Sequence, residues 1–265
     1  FSGTLSAQGH HVKLKLGAAT ELGTIRAKRG NVAITISNGA LTQSGPIQAV
    51  TDTVITASGQ DVTLDNTSNS FGGNSNATIT STRVTSADEI KVTGANVVVA
   101  SDHSFNVGAS TVSGNLTLTS GAAENSDGNF EITDTGNVTV GGNFSATTNG
   151  NNGAIVMGTL EIDGTIALTT HGTGNATLDN GSLNIDLAAS NVGGNLTVTT
   201  GNVSGITDSG AVTVGGNLVA TTDANSGVID LGTTLVTGTV ALTTNGSGNA
   251  TFDNDSLNID LAASN

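Results

Sequence analysis

Apolar and polar residues alternate in short runs along this chain. Leu196-Thr197-Val198-Thr199, Val212-Thr213-Val214 and Leu257-Asn258-Ile259-Asp260-Leu261 place an apolar side chain at every second position, as do Val12-Lys13-Leu14-Lys15-Leu16 and Val32-Ala33-Ile34-Thr35-Ile36. Successive side chains of a strand point to opposite faces, so each run predicts a strand with one row in a core and one row in solvent. Leu196, Val198, Val212, Val214, Leu257 and Ile259 are expected inside; Thr197, Thr199 and Asp260 are expected outside. The runs end at Gly, Asn or Asp, which tolerate left-handed corners. No apolar face with a helical period of 3.6 occurs.

The runs belong to repeats. GNATLDNGSLNIDLAASN (174–191) returns as GNATFDNDSLNIDLAASN (248–265), an offset of 74 residues that holds back to Ile132 against Ile206. Further upstream, VSGNLTLTSG from Val112 matches VGGNLTVTTG from Val192 at an offset of 80, which places six extra residues between Gly121 and Gly128. A five-residue signature (apolar, any, Gly, Asn or Thr, apolar) recurs as VSGNL (112–116), VGGNF (140–144), IDGTI (162–166), VGGNL (192–196), VGGNL (214–218) and VTGTV (236–240), at spacings of 28, 22, 30, 22 and 22. A step of 22 with six or eight residues added at intervals predicts the coils of a parallel β-solenoid, the additions bulging as loops. A single coil cannot bury its apolar row, but coils stacked about 4.8 Å apart close a continuous core and pair every backbone group. The chain is therefore read as one solenoid over 1–265, with basic-faced first coils (1–48), divergent coils (49–111), a first repeat copy (112–191) and a second (192–265). That makes about 10 to 12 coils, a rod on the order of 50–60 Å long.

Composition narrows the picture. With 37 Gly, one Pro, six Phe and no Cys, Trp or Tyr, the chain suits a narrow lumen of Val, Leu, Ile and Ala better than a wide globular core. No run approaches the roughly 20 apolar residues of a membrane helix, and without Cys there are no disulfides or thiol-ligated metals. The sequence has neither an initiator Met nor a signal peptide, and repeats run to its last residue; it is read as an internal or processed piece of a longer chain. Charge is asymmetric. Residues 1–91 hold all seven basic residues against six acidic, whereas residues 92–265 carry 15 Asp and Glu and no Lys or Arg. Two strands of Lys and Arg on a chain of net charge −14, with no Tyr or Trp for stacking, do not make a nucleic-acid interface.

Several phrases resemble a known family. ALTQSGPI (40–47), VGASTVSGNLTLTSG (107–121), DTGNVTVGGNF (134–144) and DSGAVTVGGNL (208–218) resemble the repeat regions of filamentous-haemagglutinin-like bacterial exoproteins of the two-partner-secretion kind. The resemblance covers roughly residues 30 to 265. It implies a right-handed parallel β-helix, exported across the outer membrane, that serves as the shaft of an extracellular adhesin or fibre on the bacterial cell surface. The partners it implies are further coils of the same protein end to end, and host or cell-surface glycans or proteins.

Candidate chemistry is sparse along the same residues. Polysaccharide-active β-helices need paired carboxylates with Arg or Lys and commonly aromatic sugar platforms. Here the carboxylates of the last 174 residues have no basic neighbour in sequence, His103 and His171 stand alone, and no phosphate loop, dinucleotide fingerprint or nucleophile elbow occurs. No catalytic residue and no cofactor are expected. Asp179, Asp186, Asp253, Asp255 and Asp260 recur at matching places in the two copies and are the candidates for calcium, but Asp after a strand is the ordinary turn residue, the favoured reading. Thr117 with Thr119, and Thr197 with Thr199, would give a Thr-x-Thr array of the ice-binding type if they stacked coil on coil, against the plainer reading of solvated strand positions. Twelve Asn-x-Ser/Thr sequons, among them Asn115, Asn137, Asn143, Asn175, Asn195 and Asn249, are candidate glycosylation sites. Finally, Lys13, Lys15, Arg26, Lys28 and Arg29 at one end and the Asp-rich coils at the other suggest head-to-tail filament assembly, with side-by-side packing of acidic shafts repelled.

Overall fold

A computed structural model describes residues 3–71, 89–101, 103–121 and 130–265, with the side chains of Asn151, Ala224 and Asn225 left out. The described residues contain strands and no helix, and every strand pairing is parallel. The strands form two sheets, one of 17 strands running from Leu5–Gly9 to Ala250–Phe252 and one of 15 running from Val12–Leu16 to Asp260–Leu261. They are called here the first and the second sheet. Some levels hold one long strand and others hold two short strands joined by a corner, so each sheet rises through twelve levels. The chain is a β-solenoid whose successive turns lie roughly 22 residues apart.

One apolar cluster fills the lumen from Val12 to Leu242. Alternation decides its membership: strand Leu196–Thr200 buries Leu196 and Val198 fully and leaves Thr197 and Thr199 half-buried on the outer face. Val212 and Val214 are buried in the same way. Leu257 and Ile259 are not inside. They are 40% and 47% exposed. Ile259 belongs to the last described level, where no further strand covers the row, and Leu257 sits at a corner, like its half-buried counterpart Leu183.

The eight extra residues of the 30-residue step do not bulge. They include strand Ala176–Asp179, which pairs with Ile155–Met157 below and Leu196–Thr200 above as a full member of the second sheet. Eight residues therefore supply half a turn. The 74-residue repeat is three turns of 22 plus this half-turn, so equivalent residues of the two copies occupy opposite sheets. Ile132 lies in the second sheet and Ile206 in the first; Phe144 lies in the first and Leu218 in the second. The six extra residues between Gly121 and Gly128, and the divergent stretch 72–88, lie outside the described residues.

The half-turn changes which face carries long strands. In the first sheet, long strands Val97–Ala100, Leu116–Ser120, Phe144–Asn151 and Ile166–His171 occupy four consecutive levels, followed by three levels of short pairs. In the second sheet the order is inverted at the same heights, short pairs first and then the long strands up to Thr239–Asn245. Where a long strand gives way to two short ones, one added residue must be absorbed. A serine does this. Ser190 Oγ donates to Ala188 O at 2.8 Å and accepts from Leu168 N at 3.1 Å, standing in for a missing backbone partner. Ser110 and Ser264 repeat the arrangement with Val92 N and Leu242 N, at 3.0 and 3.1 Å.

Candidate functional site

The recurrent signature is explained by an asparagine ladder at the entry to each long strand. Asn115 Oδ1 accepts from Asn143 N at 2.9 Å, and Asn143 Oδ1 from Thr165 N at 3.0 Å. On the other side, Asn175 Oδ1 accepts from Asn195 N and Asn195 Oδ1 from Asn217 N, both at 2.8 Å. Each rung satisfies a backbone donor at a corner where the sheet ladder lapses. The glycine before each Asn is required by crowding, since a Cβ on Gly142 would lie 2.5 Å from Asn115 Oδ1. Four candidate glycosylation residues, Asn115, Asn143, Asn175 and Asn195, are thus structural rungs on exposed corners; Asn137 and Asn249 are also exposed and lend backbone carbonyls to Ser110 N and Ile229 N.

The candidate calcium residues are dispersed. Asp179 and Asp253 each cap a turn, Oδ1 accepting from Gly181 N and Asp255 N at 2.9 Å. Asp255 adopts φ +48°, a left-handed corner. Asp260 is exposed on the last strand, and Asp186 faces outward in a column shared with Thr207 and Asp230. Its Oδ1 is shielded from solvent and has no hydrogen-bond partner. Among the described residues no three His, Cys, Asp or Glu side chains gather where they could hold a metal ion.

Other polar groups bind neighbouring turns together. Asp134 receives Gly158 N and Thr159 N at 2.8 and 2.6 Å, and Asp208 receives the equivalent Gly232 N and Thr233 N at 2.8 Å. Two buried amides, unnoticed in the sequence beyond the copied DN dipeptide, replace a whole strand. Asn180 Oδ1 accepts from Ile162 N at 2.8 Å while its Nδ2 donates to Ile162 O at 3.1 Å and Asn184 O at 2.7 Å. Asn254 does the same for Val236 and Asn258. One side chain thereby copies the donor–acceptor pair of a strand residue at the level where the second short strand is missing. In the divergent coils Asn69 plays this part, with Oδ1 accepting from Ile47 N at 2.8 Å.

Histidines do not converge. His11 Nδ1 lies 2.6 Å from Asn31 Oδ1, His171 Nδ1 lies 2.8 Å from Thr148 O, and the His103 backbone donates to Ser101 Oγ at 3.1 Å. The basic residues wrap the first two levels instead of forming one patch: Lys13 and Lys15 face out from the second sheet, Arg26 from the first, and Lys28 with Arg29 occupy the corner between. Thr119, Thr147 and Thr169 stack in one column and Thr199, Thr221 and Thr243 in another, but the columns beside them read Thr117, Ser145, Ala167 and Thr197, Val219, Ala241. A two-column threonine array is not completed on either face.

Glu89 and Lys91 form an ion pair on strand Glu89–Gly94. Burial tends to raise the Glu89 pKa, but hydrogen bonds from Lys91 and Thr135 and the Lys91 charge bring it below the ordinary carboxylate value. The hydrogen bond to Glu89 raises that of Lys91, against a smaller opposing effect of burial.

These features define a structural repeat β-solenoid whose polar side chains are spent on joining turns. A family model described as repeats of unknown function (DUF5649) matches residues 9–78 and 173–228. No curated protein and no solved structure matches the chain. Among the described residues no helix is long and apolar enough to cross a membrane.

Proposed function

We propose that the chain is a segment of the non-catalytic shaft of a large secreted bacterial adhesin or extracellular fibre. The observation that carries this reading is the unbroken pairing of both sheets through all twelve levels by a unit that can be repeated without a joint. Each 74-residue copy adds three and a half turns, about 17 Å of length at the spacing of paired strands. Length is what such a unit supplies. The exposed corners and outer rows offer contacts to host or cell-surface glycans and proteins, and the sequon asparagines at those corners are points where glycans would be carried. The resemblance of VGASTVSGNLTLTSG and the related phrases to filamentous-haemagglutinin-like exoproteins supports the same assignment.

Two measurements test it. Antibody against this chain is expected to label intact, non-permeabilised cells of the producing organism and to decorate a fibre; signal confined to lysed cells overturns the assignment. Purified chain is expected to leave polysaccharides uncleaved. Cleavage that disappears in an Asp186→Asn variant would make the fold the scaffold of an enzyme instead.

A further inference from the structure

We propose that the outer face of the first sheet carries, around Arg26, a binding site for a carboxylate-bearing sugar. Strand Thr20–Ala27 buries Ile25 and Ala27 and turns Arg26 outward, half-buried. In register with it stand Gln8 on the level below and Gln48 on the level above. Together with Ser6, Ala7 and Thr24 they line an open pocket of about 360 Å³, within the size range of small-molecule sites. Among the described residues Arg26 has no ion pair, and neither its guanidinium nor the Gln8 and Gln48 amides take a hydrogen bond. In a chain with 21 carboxylates and seven basic residues, an unpaired half-buried guanidinium is unexpected.

The carboxylates of the same face are placed elsewhere. Glu21 stands at the start of the Arg26 strand, five residues or roughly 16 Å away by the rise of a strand, beyond the screening length of physiological salt. Asp61 is taken by Asn96, whose backbone and side-chain nitrogens both donate to it at 3.0 Å, and Asp65 lies in an exposed corner two levels up. Asp52, past the corner on the second-sheet side, acts on Lys91. The charges that adjoin Arg26 along the chain are the like charges of Lys28 and Arg29. The pocket is thus a place of positive potential on a rod of net charge −14, with one fixed cation between neutral amides.

That combination selects the ligand. A guanidinium offers two parallel N–H groups, a fork that fits the two oxygens of a carboxylate. The amides about 4.8 Å above and below each offer donors and an acceptor, as the Ser6 and Thr24 hydroxyls do beside them, and these suit the hydroxyl groups of a ring that bears the carboxylate. A peptide or folded partner needs apolar or aromatic anchors, whereas Ala7 is the one apolar residue of the lining. A polymer with several charges on each unit needs more cations than one. The class indicated is a uronic acid within a polysaccharide, with one charge and several hydroxyls on each ring. The pocket opens sideways from the face, so a further turn stacked under Leu5–Gly9 would lengthen the column of Gln8, Arg26 and Gln48 without closing it. The site rests on the reading of the chain as an adhesin shaft and names a ligand for it.

Calorimetric titration of the 265-residue chain with galacturonate oligomers tests the site. Saturable binding is expected. Arg26→Gln, which turns the column into three glutamines, should weaken it about tenfold or more with an unchanged melting curve. Arg26→Lys keeps the charge and loses the fork, and should retain only part of the affinity. Replacing Lys28 and Arg29 together by Gln should leave it within about twofold, since neither lines the pocket. Methyl-esterified oligomers, which keep the hydroxyls without the charge, and poly-glutamate, which keeps the charge without the hydroxyls, should both bind more weakly than galacturonate. No binding at millimolar concentration, unchanged binding by Arg26→Gln and Arg26→Lys, an equal loss in the Lys28 and Arg29 variant, or poly-glutamate bound as tightly as galacturonate would each overturn the proposal. Any of these leaves surface display untouched, because antibody labelling reads that separately; label confined to lysed cells with galacturonate still bound would remove the shaft and keep the site.

Discussion

The two repeat copies end in nearly the same eighteen residues and meet different fates. In the first copy Ile185 and Leu187 are both 0% exposed; in the second, Ile259 and Leu261 are 47% and 64% exposed. The difference is one level of structure. Strand Ile206–Asp208 lies over the first pair, and no strand lies over the second among the described residues. Burial in a solenoid is thus a property of a residue and of the turn above it, and sequence alternation supplies only the first. The copies differ also in direction, because the half-turn carried by Ala176–Asp179 sends everything after it to the opposite sheet.

The most far-reaching way to break that comparison is to remove the half-turn. Deleting residues 176–183 should leave a stable solenoid in which the repeat advances three whole turns. Spin labels at positions 145 and 219, now on opposite sheets, should then share one face about 14 Å apart, three levels at the strand spacing. Electron–electron distance measurements read this directly, and an unchanged separation would mean that the eight residues are only a loop. Next in size is a charge placed in covered and uncovered rows. Val198→Asp puts an unpaired carboxylate at a fully buried position and should cost about 3–5 kcal/mol or unfold the surrounding turns, whereas Ile259→Asp should stay within about 0.5 kcal/mol. Denaturant titration of the two variants makes the comparison.

A smaller effect is expected at the asparagine plugs. Asn180→Ala removes three hydrogen bonds and strands the Ile162 N–H and C=O in the lumen wall, a loss of about 2–4 kcal/mol. Asn254→Ala removes the same contacts to Val236 and Asn258 at the outermost turns, which can open without the rest. Its global cost should be smaller, and hydrogen exchange should show the loss of protection confined to the end. Equal destabilisation by both variants would mean that the rod melts as one unit.

The contrast also marks what could be read beforehand. The strands, their 22-residue step and the inward row were legible because a period of two and a copied glycine signature need no knowledge of neighbours. The half-turn was not, since a spacing of 30 instead of 22 looks the same whether eight residues bulge or pair. Only the register of Ala176 with Ile155 and Leu196 decides. Asn180 was hidden for a similar reason: Asp-Asn-Gly reads as a turn, and nothing local says that the amide points inward to serve Ile162. The candidate calcium residues shared a place in the repeat but not in space. With copies on opposite sheets, matching positions such as Asp179 and Asp253 are carried to different faces of the rod.

The smallest expected effect distinguishes one switch from the others. Where Glu89–Gly94 gives way to two short strands, the outer face carries the Glu89–Lys91 pair; where Ile166–His171 does so, the corresponding outward residues are Thr165 and Ala167. The folded pKa of Glu89 lies below its unfolded value, so its contribution is present above the unfolded carboxylate pKa and disappears as pH falls through the folded one. Lys91 is shifted upward, so its contribution is full below the unfolded lysine pKa and is lost as pH rises through the folded value. The pair therefore acts between those limits, above the unfolded carboxylate pKa and below the unfolded lysine pKa, with neutrality well inside the window. Lys91 is 39% exposed, and screening holds the contribution to at most about 1 kcal/mol. Glu89→Gln should flatten the acid limb of stability for the turns around residues 89–112, read as pH-dependent hydrogen exchange, and leave the limb around residues 166–192 unchanged. An acid limb of the same size at both switches, surviving Glu89→Gln, would show that the pair contributes nothing at the switch it occupies.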